Sequence, residues 1–178
     1  MDLQSVLPLW KEVEYYRQYQ QQLREYLGNE KANEVLEEAV YLISIGTNDF
    51  LNNYYTRPGR SSQFSVEDYQ NFLIQIGKDF VTNLYSLGAR KISLGGLPPM
   101  GCLPLERTTN ILFGRQCIEE YNQVAKEFNW KLTDLAGKLN RELNGLQLVF
   151  SNPYEILLEM IQKPSYFGKI SIRKSAVT

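Results

Sequence analysis

The sequence of 178 residues contains no histidine. Histidine is the usual general base of serine and cysteine hydrolases and the commonest metal ligand in proteins. Only two cysteines are present, Cys102 and Cys117, and a zinc site built from two cysteines without histidine is not expected. We therefore expect neither a histidine-based catalytic triad nor a metal ion or other cofactor.

Long runs of one charge and long apolar runs are also missing. Nineteen basic and twenty acidic residues leave a formal charge of -1, so the composition does not favour a nucleic acid or an anionic membrane surface as a partner. No stretch approaches the roughly 18 apolar residues of a transmembrane helix. The first residues lack a basic patch followed by an apolar run, so no secretory signal is expected there.

Apolar residues at helical spacing alternate with short β-branched or aromatic runs. The length suits one domain. The strand over residues 40–45 is expected to be buried on both faces, because its apolar run is continuous. Ser65 is expected to cap a helix, and Gly88 to end it. The spacing predicts helices over residues 8–27, 30–39, 65–87, 117–143 and 153–160, and strands over residues 40–45, 91–95 and 146–150.

Strands that alternate with long amphipathic helices predict an α/β fold with a parallel sheet covered by helices on both faces. Only three strands are evident, fewer than the usual five or so.

A polar segment, Gly46-Thr47-Asn48-Asp49, follows the first predicted strand. Ligands bind near the carboxyl ends of parallel strands, where the Asn48 amide could donate a hydrogen bond to an oxyanion and Asp49 could orient it. Gly46 would let another segment approach closely. The alternative is an ordinary turn, since turns use the same residue types.

Two stretches carry a family resemblance. Residues 42–50 read LISIGTNDF and are followed by Asn53-Tyr54-Tyr55, and residues 88–104 read GARKISLGGLPPMGCLP. Both resemble conserved blocks of plant GDSL esterase/lipases, members of the SGNH hydrolase superfamily. The resemblance extends from about residue 6 to about residue 164.

The resemblance implies a three-layer α/β/α sandwich of the SGNH, flavodoxin-like type, of which this chain would hold about three of five strands. It also implies an ester or lipid substrate and, for intact family members, secretion. Family catalysis uses a Gly-Asp-Ser serine, an Asp-x-x-His pair and three oxyanion donors. Only one of these finds a match here, Asn48, with Gly46 and Asp49 supporting it.

By the resemblance, the Gly-Asp-Ser motif would precede Met1 and the Asp-x-x-His motif would follow Thr178. We therefore expect a chain truncated at both ends, with a partial SGNH hydrolase domain over residues 1–164 and a divergent tail over residues 165–178. Without a nucleophile motif or a base, hydrolysis is not expected. The absent central strand would leave an open sheet edge through which the chain could associate with itself.

Several alternatives stay open at the level of sequence. Cys102 and Cys117 could form a disulfide around a proline-rich loop or stay as two buried thiols. Arg107 could attract an anionic group or be merely solvated. The chain could be a fragment or pseudoenzyme of an ester hydrolase, a binding or interaction module, or part of an active secreted esterase whose gene model is incomplete.

Overall fold

A computed structural model describes residues 7–55 and 58–168. Within them, three parallel strands alternate with helices. Three short 3₁₀ turns at Met100–Cys102, Ile111–Phe113 and Pro164–Tyr166 and one π-helix at Asp49–Tyr55 complete the secondary structure. The α-helices are α1 (Leu9–Leu27), α2 (Asn29–Glu38), α3 (Pro58–Ser61), α4 (Val66–Ser86), α5 (Pro104–Thr109), α6 (Glu119–Glu142) and α7 (Tyr154–Gln162).

The strands β1 (Val40–Ser44), β2 (Lys91–Gly95) and β3 (Gln147–Ser151) lie in the order β1-β2-β3. Val40 pairs with Lys91, and Lys91 pairs with Gln147. Parallel neighbours require a long crossover, which α4 supplies between β1 and β2 and α6 between β2 and β3. This confirms the α/β fold class with an incomplete parallel sheet.

Local sequence signals explain where the longest helices begin and what they bury. The Ser65 hydroxyl caps α4 by accepting a hydrogen bond from the Asp68 backbone N–H at 3.1 Å, and the acidic first turn favours that end of the helix dipole. In α6 the large apolar residues that recur at helical spacing are buried, namely Val124, Phe128, Leu132, Leu135 and Leu139. The core therefore lies between these two helices and one face of the sheet.

The other face of the sheet is bare. Val40 and Leu42 on β1 are 64% and 81% exposed, and Val149 on β3 is 60% exposed. Ile43, Ile92 and Leu148, which point to the opposite face, are buried. The expectation that residues 40–45 are buried on both faces is therefore wrong, because the described helices cover one face only.

Other differences are local. The segment after β1 was expected to be a loop, but a helical turn starts at Thr47 and continues into the π-helix. Helix α5 and the turns beside it were not predicted. Residues 169–178, most of the proposed divergent tail, lie outside the described residues, so the boundary near residue 164 stays a prediction. In the described part of the chain, every helix is too short or too polar to span a bilayer.

Candidate functional site

Gly46 begins the candidate site, just beyond the carboxyl end of β1. Its φ of +113° lies in a region that side chains disfavour. A Cβ atom there would come within 3.0 Å of Leu97 Cδ2 and 3.5 Å of Phe128 Cε1. Glycine therefore lets the segment after β1 turn sharply while it packs against the segment after β2.

Asn48 lies two residues further on, exposed to solvent. Its Oδ1 accepts a hydrogen bond from Asn52 Nδ2 at 3.3 Å. Among the described residues, Asn48 Nδ2 donates no hydrogen bond to the chain. The contact from Asn52 thus fixes which end of the amide faces the protein and leaves the N–H₂ end for another acceptor.

Asp49 is half-buried at the start of the π-helix. Burial raises the pKa of its carboxyl group, and the Asn53 side chain acts in the opposite direction. The Asp49 carbonyl oxygen accepts a hydrogen bond from Tyr69 Oη at 3.3 Å. Asp49 is thus tied to helix α4, and the side chain that contacts Asn48 is Asn52.

The raised pKa of Asp49 gives a testable pH dependence. Because the folded-state pKa lies above the unfolded value, ionisation disfavours folding, and stability falls as pH rises from the ordinary aspartate value through the folded pKa. We expect Asp49→Asn to raise Tm at neutral pH, and the gain to vanish in acid where Asp49 is protonated in both states. Thermal melts across the acidic range check this, with exposed Asp134→Asn on α6 as the matched loss of one charge. A lower Tm for Asp49→Asn at neutral pH would contradict it.

Two buried asparagines of α6 hold the segment that follows β2. Asn129 Oδ1 accepts from the Leu97 backbone N–H at 2.7 Å, and Asn129 Nδ2 donates to the Leu97 carbonyl at 2.9 Å. Asn122 Oδ1 accepts from the Gly101 N–H at 3.0 Å, and its Nδ2 lies 3.4 Å from Cys102 Sγ. These side-chain amides supply the hydrogen-bond partners that strand pairing would otherwise give to this buried, irregular backbone.

The same segment is closed by a disulfide between Cys102 and Cys117, whose Cα atoms are 4.4 Å apart. The Ile118 N–H donates to the Gly101 carbonyl at 2.9 Å beside it. The bridge encloses α5 and the turn Ile111–Phe113. Of the two states left open by sequence, the structure contains the disulfide.

Arg107 lies inside this loop. Its Nε donates to the Arg115 carbonyl at 3.1 Å. The side chain therefore helps to shape the loop and is more than a solvated charge.

Three serines lie on the strands of the sheet. The Ser93 and Ser151 hydroxyls lie 2.9 Å apart on the bare sheet face, and Ser44 is exposed on β1. Within residues 7–55 and 58–168, no group of three or more acidic or cysteine side chains is arranged to hold a metal ion.

A family model described as GDSL-like Lipase/Acylhydrolase matches residues 11–164. This chain belongs to that family. It is 60% identical over 171 residues to GDSL esterase/lipase At4g26790 of Arabidopsis thaliana, covering 96% of this chain and 49% of the relative. It is 59% identical over 167 residues to GDSL esterase/lipase At2g04570 of the same plant, covering 94% of this chain and 48% of that relative. The GDSL chain thus spans about half the length of these relatives.

From the sequence, Asn48 was singled out as a candidate, and Asn52, Asn122 and Asn129, the residues that hold this region in the structure, were not identified. Asn122 and Asn129 are seven positions apart and lie among the buried side chains of α6. Two amides at that spacing within an apolar stripe indicate buried polar anchors, because seven residues are close to two helical turns. Asn52 follows Asn48 by four positions, and side chains at that spacing are neighbours on a helical turn, so their contact could have been inferred in the same way.

Proposed function

We propose that this chain supplies part of the ester-binding site of a GDSL-type ester hydrolase, with Asn48 as a donor to the oxyanion. The proposal rests on the side-chain amide of Asn48, which is exposed beyond the end of β1. Its Oδ1 accepts a hydrogen bond from Asn52 Nδ2 at 3.3 Å, which orients the amide. Membership of the GDSL-like lipase/acylhydrolase family supports the substrate class. So do the names of the relatives, which are GDSL esterase/lipases.

The proposed chemistry is stabilisation of negative charge. When a nucleophile attacks an ester carbonyl, the carbonyl oxygen becomes an oxyanion, and a preoriented N–H donor lowers the energy of that state. Asn48 Nδ2 provides such a donor. Gly46 supports it by bringing the segment against Leu97, and Asp49 supports it by fixing the start of the π-helix to Tyr69.

The amide of Asn48 can be tested directly by NMR. We expect the side-chain N–H₂ signals of Asn48 to move on titration with a short-chain alkyl phosphonate ester, whose oxygens imitate the oxyanion. The side-chain signals of exposed Asn140 serve as the control. Shifts confined to residues away from Gly46–Asp49 would reject Asn48 as the donor.

We further propose that the polypeptide of residues 1–178 does not hydrolyse esters by itself. A serine hydroxyl needs a base within hydrogen-bond reach, and the chain contains no histidine. An oxyanion hole that has lost its triad still accelerates the reaction roughly 10³- to 10⁴-fold over the rate in water when substrate binding is intact. A single donor of that hole is expected to give a smaller rate acceleration.

An esterase assay checks this expectation. We expect the purified chain to release nitrophenol from a short nitrophenyl ester no faster than an Asn48→Ala variant does, and at a rate within about tenfold of the buffer blank. A fluorophosphonate probe should label no serine. Turnover that falls on Asn48→Ala, or a serine labelled by the probe, would contradict the proposal.

A second candidate function is association through the open edge of β1. On one side β1 pairs with β2, and no described strand pairs with its other side. The outer edge of β3 differs, because Asn140 bonds both the N–H and the carbonyl of Leu148 at 2.8 Å. An unprotected edge with exposed Val40 and Leu42 favours pairing with another strand.

Light scattering after size-exclusion chromatography tests whether the chain associates through the edge of β1. We expect the chain to form dimers or larger species in a concentration-dependent way, and Leu42→Lys to return it to a monomer, since lysine on an edge strand opposes pairing. Val149→Lys on β3 is the matched control, because Val149 is also exposed on the bare face. A monomeric wild-type chain at all concentrations would reject this function.

A further inference from the structure

The disulfide loop between Cys102 and Cys117 ends in an apolar tip. Ile111, Leu112 and Phe113 form a 3₁₀ turn in which they are 68%, 94% and 71% exposed. Leu105 on α5, in the same loop, is 69% exposed. Single exposed apolar residues are ordinary, but three in succession at an exposed turn mark an interaction site.

The turn is held in this shape by its own hydrogen bonds. Asn110 Nδ2 donates to the Gln116 carbonyl at 3.1 Å, and the Arg115 N–H donates to the Asn110 carbonyl at 2.9 Å. Gly114 and Arg115 both have positive φ, 65° and 58°, which reverses the chain directly after Phe113. The three exposed side chains thus project from a preorganised turn within a disulfide-closed loop. Binding through this turn would need little additional ordering of the backbone.

We propose that the tip Ile111–Phe113 inserts into a lipid surface. A protein partner needs roughly 20–30 residues on each side of a stable interface, and a narrow tip of three residues with Leu105 behind it offers far fewer. Insertion to a depth of about 5–10 Å at the boundary between headgroups and acyl chains requires only such a tip.

The charges around the tip select the kind of surface. The loop carries Arg107 and Arg115, and its one acidic residue, Glu106, is half-buried. Glu119 and Glu120 are exposed at the start of α6, outside the bridge. Arg115 is exposed next to the tip, where it can meet lipid phosphate while Phe113 enters the acyl region. The composition of the whole chain, with a formal charge of -1, does not favour an anionic surface, but the exposed charge beside the tip is positive, so a surface containing anionic phospholipid fits the tip better than a neutral one.

The disulfide loop follows β2 as the Asn48 segment follows β1, and the two strands are parallel neighbours. The loop continues the segment after β2, in which Leu97 packs against Gly46. Binding to lipid does not require hydrolysis, so this inference is independent of the activity proposed above.

Vesicle sedimentation with the full 178-residue chain tests the proposal. The vesicles are phosphatidylcholine alone or mixed with phosphatidylglycerol. We expect binding to the mixed vesicles, and a loss of roughly tenfold or more in the partition coefficient for the triple variant Ile111→Ser, Leu112→Ser and Phe113→Ser. The matched control is Val40→Thr, Leu42→Thr and Val149→Thr, which removes three comparably exposed apolar side chains from the bare sheet face.

Two further measurements locate the contact. Arg115→Gln should lower binding to the mixed vesicles about fivefold and leave binding to pure phosphatidylcholine unchanged. The indole introduced by Leu112→Trp should show blue-shifted emission with vesicles and added quenching by brominated acyl chains. The proposal is overturned if the wild-type chain does not sediment with mixed vesicles, if the sheet-face variant loses binding while the tip variant keeps it, or if brominated lipid adds no quenching in the Leu112→Trp variant.

Discussion

Gly101→Ala is expected to destabilise the chain by about 3 kcal/mol or more, which lowers Tm by roughly 6–12 °C for a domain of this size. A Cβ atom at position 101 would lie 1.9 Å from the Ile118 carbonyl oxygen and within 2.9 Å of the Ile118 nitrogen. The obstructing atoms belong to the backbone, so no side-chain rotation relieves the overlap. The segment after β2 and the start of α6 would have to separate.

The separation would also break the contacts around Gly101. Its N–H donates to Asn122 Oδ1 at 3.0 Å, and its carbonyl accepts from the Ile118 N–H at 2.9 Å. Cys102 is the next residue and carries the disulfide. The effect should therefore exceed that of an ordinary overpacked side chain.

Gly77→Ala in α4 is the control. A Cβ at position 77 meets nothing within 4 Å outside its own helix backbone, and alanine is favoured over glycine inside a helix by roughly 0.5–1 kcal/mol. This variant should melt slightly above the wild-type chain in the same calorimetric scan. If Gly101→Ala melted within about 1 °C of wild type, the close contact with Ile118 would not exist in solution.

The order of strands and helices follows from the sequence because periodicity reports which face of an element is buried. Strands β1, β2 and β3 lie within one residue of their expected bounds, and α6 buries the apolar residues that recur along it at helical spacing. Ser65 caps α4 as its side-chain chemistry requires. These features depend on contacts within an element or on one apolar face, and such signals are local.

The bare face of the sheet was not predictable in this way. The run Val40-Tyr41-Leu42-Ile43 is apolar on both sides, which is typical of a strand packed between two helical layers. What lies against each side depends on distant parts of a fold. In the described residues only the side of Ile43 is covered, and Leu42 is exposed.

The sequence predicted where the candidate site would lie, but it did not predict which residues hold that region in place. Gly46 and Asn48 follow a recognisable strand, and ligand sites gather at such ends. The partner of Asn48 is Asn52, which depends on a helical turn that the polar sequence did not predict. The anchors Asn122 and Asn129 act on residues 21 and 32 positions away, a pairing that local patterns do not encode.

Asn129→Ala is expected to cost about 2–6 kcal/mol of unfolding free energy, because the variant leaves the Leu97 N–H and carbonyl without partners and each buried unsatisfied group costs about 1–3 kcal/mol. Leu97 is fully buried and Asn129 nearly so, so water would not easily replace the amide. Urea unfolding followed by circular dichroism measures the loss.

Asn140→Ala is a matched control that the chain itself offers. Asn140 makes the same pair of hydrogen bonds, to the N–H and carbonyl of Leu148, both at 2.8 Å. Its side chain is exposed, so water can take the vacated positions, and the expected loss is about 1 kcal/mol. Equal losses for the two variants would mean that burial of the asparagine side chain does not set the cost.

Asn129→Asp separates the hydrogen bonds from the cavity that alanine leaves. Aspartate keeps nearly the same volume and can still accept from the Leu97 N–H, but when ionised it has no proton for the Leu97 carbonyl. Burial should raise the folded pKa of the new carboxyl above its unfolded value. Stability should then be highest in acid, where the protonated group can donate to Leu97, and fall as pH rises through the folded pKa. A variant whose stability relative to wild type did not change with pH would show that packing, and not the paired hydrogen bonds, holds this segment in place.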